Sequence, residues 1–341
     1  MEGTLQDAFG EIAIQFLTRN YDYLWLRTML EQAAATETDG STLITGSSHA
    51  LNAIREGFWN NAFNCSMHSQ DLYYDFLCAR RVLNAAAPGR FSRCFIVMGY
   101  YSAWQDLSLS KKQREIWIPN VYDPIFNDTH HWETPVHKDL WDWLNFSLPD
   151  GGPLTPEMIR STCEDAATRI LLRYGTYYSE LRLHGTRYDL KGHPWAQIPL
   201  GNRLALARTR AEDHNKNYWY KSSFEENKQI LRDFVRFLYE HEVRPIVVVM
   251  PFAPEYNQFI LPELYAGTVD LLESVPEDIE FVDFNQIEGI FELTDFMDTD
   301  HLNEAGAEKV SSILADTFGK SWNGKAFCSK TGGTVMQPQQ L

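Results

Sequence analysis

Apolar residues along this chain recur with two different periods, and the change from one to the other marks its elements. Between residues 4 and 35, Leu5, Phe9, Ile12, Ile14, Phe16, Leu17, Leu24, Leu26, Met29 and Leu30 fall at roughly helical spacing. Asp39-Gly40 closes that run with a turn. Short apolar runs at 42–45, 62–66 and 94–98 then read as strands, with an amphipathic helix over 71–86 between the last two. A helix over 223–241, carrying Ile230, Leu231, Phe234, Val235 and Leu238, runs into Pro245-Ile246-Val247-Val248-Val249-Met250-Pro251. Such an unbroken β-branched run suits a strand buried on both faces. A helix over 261–273, a strand over 280–284 and a helix over 303–318 complete the series. Alternation of this kind predicts an α/β fold, a three-layer α/β/α arrangement with a doubly wound parallel sheet.

The alternation fails from 104 to 222. Seven of the ten tryptophans (Trp104, Trp117, Trp132, Trp141, Trp143, Trp195 and Trp219) and six of the ten histidines fall there. The organisation expected is an N-terminal helical segment over 1–41, a core over 42–103 and 223–320, and a flexible tail over 321–341. The intervening 104–222 reads as a large aromatic-rich insertion that caps the sheet, helical around 155–185. Its tryptophans suit either a sugar-stacking platform or the insertion's own core.

Composition narrows the partners. A formal net charge of −16 disfavours nucleic acid and anionic membrane surfaces, both of which reward clustered Lys and Arg. No apolar window approaches a membrane span and the N-terminus lacks a secretory signal, so a cytoplasmic protein is expected. The five cysteines, Cys65, Cys78, Cys94, Cys163 and Cys328, form no CxxC pair and read as reduced thiols. No GxGxxG or GxxxxGK[ST] block occurs, and His130, His131, Glu133 and His137 lack ligand spacing, so neither a cofactor nor a metal is expected.

Two short blocks carry chemistry. Gly46-Ser47-Ser48-His49 closes the first strand and opens a helix, where a serine serves as an N-cap or as an exposed nucleophile beside helix N–H groups. Asp298-Thr299-Asp300-His301 precedes the last helix; Asp-x-x-His lets one turn present a carboxylate and the imidazole that it orients. Spacing favours Asp298 over Asp295 and Asp300 for that acid.

Together the two blocks resemble the GDSL/SGNH hydrolase superfamily, whose nucleophile is the third residue of Gly-Asp-Ser-Leu. That implies Ser48 rather than Ser47, with Asp298 and His301 completing the triad. More closely, the chain is similar to the D-alanyl-transfer-protein-like branch found beside bacterial cell-surface polysaccharide genes. The similarity is carried by 46–49, Ser69-Gln70-Asp71-Leu72-Tyr73-Tyr74, Tyr100-Tyr101-Ser102 with Asp106-Leu107-Ser108, Met250-Pro251-Phe252 with Glu255-Tyr256, and 298–306. It covers roughly 42–108 and 223–318.

The resemblance implies an SGNH/flavodoxin-like sheet and acyl transfer on an acylated carbohydrate or glycan precursor with an acyl donor, as esterase or O-acyltransferase. Homo-oligomerisation is left open. The oxyanion donors it implies are the Ser48 N–H, Ser69 where the family has glycine, and Tyr101 where it has asparagine. His49, Gln70, Gly99 and Tyr100 are the substrate-binding candidates, although His49 equally suits a first-turn helix residue that points sideways. Losing a well-placed oxyanion donor costs ~10²–10³ in rate. The altered positions therefore keep a non-catalytic glycan-binding or assembly protein as the alternative.

Overall fold

Five short runs pair into a single all-parallel sheet in a computed structural model that describes residues 21–133 and 195–319. The strands are β1 (Ser41–Gly46), β2 (Ala62–Asn64), β3 (Phe91–Met98), β4 (Arg244–Val249) and β5 (Glu280–Asp283), in the order β2-β1-β3-β4-β5. Register places Gly46 opposite Val97, Met98 opposite Val249, and Val249 opposite Asp283, so the carboxyl ends of the strands share one edge. This is the flavodoxin-like strand order, whose ligands bind beyond that edge.

Side chains alternate between the two faces of a strand. Ile44, Phe95, Val97, Ile246, Val248 and Val282 form one cluster with Ala50 and Ala53 of α2 (Ser48–Ala53) and Val310, Leu314 and Phe318 of the C-terminal helix Glu304–Phe318. The intervening Leu43, Cys94, Ile96, Val247 and Val249 are buried as well. Their side of the sheet is covered by α3 (Leu72–Ala85) and the helix Lys221–Glu240, which pack on β1 and β4 and on each other. Phe76 stacks on Phe234 across that helix pair at 5.2 Å. Each fully buried side chain of this size contributes about 1.5–3 kcal/mol, which is why both helical layers are needed.

Two compact units make up the chain, Met1–Glu31 with Leu107–Thr186, and Gln32–Asp106 with Arg187–Leu341. In the first, α1 (Tyr21–Ala34, in this unit as far as Glu31) is described together with short helical turns over Leu107–Phe126. Pro119 and Pro124 each begin a new turn, where a missing N–H does no harm, and Asn127 ends the series at φ +56°. The expected helical stretches at 4–20 and 155–185, Trp141, Trp143, His137 and the 321–341 tail lie outside the described residues.

The second unit holds the sheet. It also holds α4 (Leu200–Asn215), so the stretch 104–222, expected as one insertion, is divided between the units. Charge explains the difference. Arg203 of α4 donates to Glu255 Oε1 at 2.6 Å, and Trp195 Nε1 donates to Glu255 Oε2 at 3.2 Å, tying this segment to the loop after β4. Trp195 is therefore a core residue, 1% exposed, while Trp219 is 75% exposed. The longer helices that follow are α5 (Lys221–Glu240), α6 (Pro262–Glu273) and α7 (Glu304–Phe318). No helix among the described residues is long and apolar enough to cross a membrane.

Candidate active site

The β1–α2 turn is built around Gly46. Its φ of +143° is a glycine conformation, and a Cβ there would sit 2.6 Å from the Val97 carbonyl oxygen. The tight turn leaves Ser47 as the N-cap of α2, its hydroxyl accepting from the His49 N–H at 3.5 Å. Ser47 is buried, whereas Ser48, the first residue of the helix, is half-buried. Its Oγ lies 2.8 Å from His301 Nε2. The first amides of a helix have no intrahelical acceptor, so the Ser48 N–H, at the first position of α2, is not used by the helix itself.

The Asp298–His301 turn is pinned at three points. Phe296 bridges Leu302, the Met297 N–H donates to the His301 carbonyl at 2.9 Å, and the Ala253 N–H from the loop after β4 donates to the Thr299 carbonyl at 3.0 Å. Asp298 Oδ1 accepts the N–H groups of Asp300 (3.0 Å) and His301 (2.8 Å), which fixes the carboxylate within its own turn. Its two oxygens then lie 3.1 and 3.0 Å from His301 Nδ1. Ser48, His301 and Asp298 thus form one hydrogen-bonded series across a sequence separation of 253 residues.

A second group of polar side chains, all buried except the half-exposed Arg210, backs this series. Arg210 of α4 forks onto Asp300, and His49 Nε2 lies 3.1 Å from the Tyr101 hydroxyl and 3.6 Å from Asp300 Oδ2. The His49 ring stacks on His301 at 4.9 Å. His214, one turn after Arg210, stacks on Tyr101 at 3.8 Å and places Nδ1 2.6 Å from the Tyr256 hydroxyl. Sequence reasoning missed Arg210 and His214. The one signal available was their i, i+4 spacing, which puts them on one face of α4.

Burial and charge set the protonation states. Burial pulls His301 down, but buried Asp300 and then Asp298 more than offset it, so its pKa is raised. Asp300 acts through its charge alone, whereas Asp298 adds a hydrogen bond to its charge. His49 falls to about 3, through burial first and repulsion from His301 second. His214 lies well below its ordinary value through burial and the nearby Arg210. Burial, with Asp300 adding to it and Arg210 opposing, pushes Tyr101 up to about 12. Among the described residues His49 Nδ1 has no hydrogen-bond partner, whereas Nε2 faces the Tyr101 hydroxyl.

The other residues singled out in the sequence divide. Ser69 has φ +58°, the left-handed backbone that glycine favours, and its carbonyl accepts from Gln105 Nε2 at 3.2 Å. The Gln70 amide is turned inward, donating to Asp75 Oδ1 (2.6 Å) and the Cys65 carbonyl (3.2 Å). Tyr100 donates to Asp283 Oδ2 at 2.6 Å, so its hydroxyl serves the end of β5. The Gly99 N–H donates to Ser102 Oγ at 3.0 Å. Tyr101 is buried with its hydroxyl against His49, and His49 is itself buried. The structure therefore brings Ser48, Asp298, His301, His49 and Tyr101 into one cluster, while the polar groups of Gln70 and Tyr100 are engaged elsewhere.

Ligand atoms of His49, Asp300 and His301 lie within 4.8 Å of one another, as a cation site would need. Arg210, however, occupies both oxygens of Asp300, and Asp298 holds His301 Nδ1. In the first unit, His130 and His131 stack at 3.9 Å.

The two depressed histidines make the fold acid-sensitive. Folded, they stay neutral; unfolded, they take up protons below pH 6.5, so the stability they contribute is complete above that pH and lost as the pH falls. His301 has the opposite sign: its contribution is complete below pH 6.5 and lost as the pH rises through its folded pKa. As the pH falls about a unit or more below 6.5, the unfolded chain approaches three bound protons at these sites while the folded chain holds one. That excess of two costs about 2.7 kcal/mol per pH unit, at about 1.36 each. Urea unfolding should show a slope that steepens from pH 6.5 toward this limit at about pH 5, and His49→Gln should reduce the limit by about half. A slope unchanged in His49→Gln would mean that His49 is not held neutral.

Residues 199–323, from the start of α4 through α7, match a family model of unknown function. The matched segment contains Arg210, His214, Asp298, Asp300 and His301 but not Ser48. No curated protein matches the chain.

Proposed function

We propose that this chain is a serine acyl-transfer enzyme of the SGNH type, with Ser48 as nucleophile, His301 as general base and acid, and Asp298 as the carboxylate that orients the imidazole. The observation that carries this reading is the continuous Ser48–His301–Asp298 hydrogen bonding at the carboxyl edge of a parallel sheet. His301 Nε2 takes the proton of Ser48 Oγ as that oxygen attacks the acyl carbon, then returns it to the departing alcohol oxygen. Water or a sugar hydroxyl, deprotonated by the same nitrogen, then attacks the acyl carbon; the bond to Ser48 Oγ breaks and Nε2 returns the proton to that oxygen. The Ser48 N–H and the N–H of Ser69 are the oxyanion donors of this scheme. The Tyr101 hydroxyl, 3.1 Å from His49 Nε2, instead serves the wall behind the base.

The family resemblance supports an acylated carbohydrate or glycan precursor as substrate, on the esterase or O-acyltransferase side of that chemistry. Cys65, Cys78 and Cys94, buried and outside any disulfide, support a reducing, cytoplasmic setting. Incubation with a fluorophosphonate and peptide mapping by mass spectrometry tests the reading. Label is expected on Ser48, absent in Ser48→Ala and retained in Ser47→Ala. Label lost in Ser47→Ala and kept in Ser48→Ala would assign the wrong serine.

A second reading, a non-catalytic glycan-binding protein on the same scaffold, is favoured by one observation: the side chain at the asparagine position is spent on His49. Unlabelled Ser48 in a folded protein that still bound acylated oligosaccharide would select it.

A further inference from the structure

The deepest carboxylate of the site is not the one that holds the imidazole. The Asp300 side chain is 2% exposed, against 43% for Asp298, yet its Oδ1 is 3.8 Å from His301 Nδ1, too far for a hydrogen bond. Its oxygens are taken up elsewhere. Arg210 Nε lies 3.1 and 3.0 Å from the two, Nη2 lies 2.9 Å from Oδ2, and Thr299 Oγ1 donates to Oδ1 at 2.6 Å. An isolated buried carboxylate is costly, and one beside a histidine would recover that cost by pairing with the imidazolium.

We propose that Arg210 is a positioning residue of the acyl-transfer site: it saturates Asp300, so that Asp298 alone holds His301 and the buried carboxylate does not capture the protonated base. The inference rests on His301 being that base. Its reach across the fold is notable because Arg210 comes from α4, which lies outside both stretches that resemble the superfamily. A guanidinium suits the task, since its planar fork meets two carboxylate oxygens at once and never loses its charge.

The groups around His301 leave this balance to few charges. Its own turn supplies Asp298 and Asp300, and α2 supplies Ser48 and the stacked His49. From α4 come Arg210 and His214, and Tyr101 and Tyr256 stand against His49 and His214. Burial keeps His49 and His214 neutral and both tyrosines protonated. Arg210 is thus the fixed positive charge set against two carboxylates.

The test is an NMR titration of the His301 ring in the full chain carrying ¹³C-histidine, with the resonance assigned by its loss in His301→Gln. Arg210→Gln is expected to raise the His301 pKa by about 1 unit or more: it leaves the Asp300 carboxylate, 3.8 Å from His301 Nδ1, without its guanidinium, and an opposite charge that close moves a neighbour by about 1–3 units. Arg210→Lys, with the charge but not the fork, should fall between that variant and wild type. Asp300→Asn should move His301 the other way, downward, and adding it to Arg210→Gln should reverse the rise. A merely structural arginine would not produce opposite shifts. A titration unmoved by Arg210→Lys and Asp300→Asn, or moved in one direction by Arg210→Gln and Asp300→Asn alike, would overturn the proposal. If Arg210→Gln does not fold, Arg210→Lys and Asp300→Asn still decide. Fluorophosphonate labelling of wild type separates the two ideas. Unlabelled Ser48 with the expected pKa shifts would sink the acyl-transfer reading and spare the Arg210–Asp300 balance. Normal labelling with an unmoved His301 would do the reverse.

Discussion

Ser48→Ala and His301→Gln are each expected to lower turnover of an activated ester such as p-nitrophenyl acetate by on the order of 10⁴–10⁶, and the double variant by no more than the larger single loss. Non-additivity follows from the geometry. Ser48 Oγ and His301 Nε2, 2.8 Å apart, act as one proton-transfer pair, so removing either partner abolishes the whole step. Asp298→Asn should cost about 10⁴, because an amide at that position favours the wrong tautomer of His301. Asp300→Asn should cost less, since its carboxylate makes no hydrogen bond to the ring. Initial rates of the four single variants, each checked for folding by circular dichroism, measure this order. Equal losses for Asp298→Asn and Asp300→Asn would mean that the orienting acid has been misassigned, and additive losses for Ser48 and His301 would argue against a shared step.

Gly46→Ala is expected to destabilise the fold by about 2–6 kcal/mol, about 1–3 from a strained backbone and about 1–3 from overpacking. The position leaves a side chain no good alternative. Its φ is +143°, and a Cβ would meet the Val97 carbonyl oxygen at 2.6 Å and Val97 Cβ at 2.9 Å. Both contacts belong to the neighbouring central strand, which is hydrogen-bonded on both sides and does not yield easily. Urea unfolding measures the loss as a lower midpoint at unchanged slope. Fluorophosphonate labelling of the surviving folded fraction should slow as well, because the same turn aims Ser48. A Gly46→Ala midpoint equal to wild type would show that the turn tolerates a side chain and that Ser48 is positioned in some other way.

What was legible in the sequence is what a local pattern can determine. Hydrophobic period and β-branched composition marked all five strands to within a few residues, from 42–45 observed as Ser41–Gly46 to 280–284 observed as Glu280–Asp283. The same patterns marked the helices over 71–86, 223–241, 261–273 and 303–318, because an amphipathic face repeats within a dozen residues whatever it packs against. Strand alternating with helix then left a parallel sheet as the only economical assembly. The two turns that meet in the site were also readable, since Gly-x-Ser and Asp-x-x-His are short blocks with their own chemistry. Tertiary structure decided the rest. Gln70 and Tyr100 were read as facing a ligand, but their polar groups bond to Asp75 and Asp283. Asp75 lies five residues from Gln70 and Asp283 lies 183 residues from Tyr100, and neither pairing leaves a trace in local periodicity. Arg210 and His214 stood in the stretch where the alternation failed. Only the packing of α4 against the segment after β4 sets that guanidinium on a carboxylate 90 residues away. A buried charge is satisfied by whatever the fold brings within 3 Å of it, and that distance is measured through space rather than along the chain.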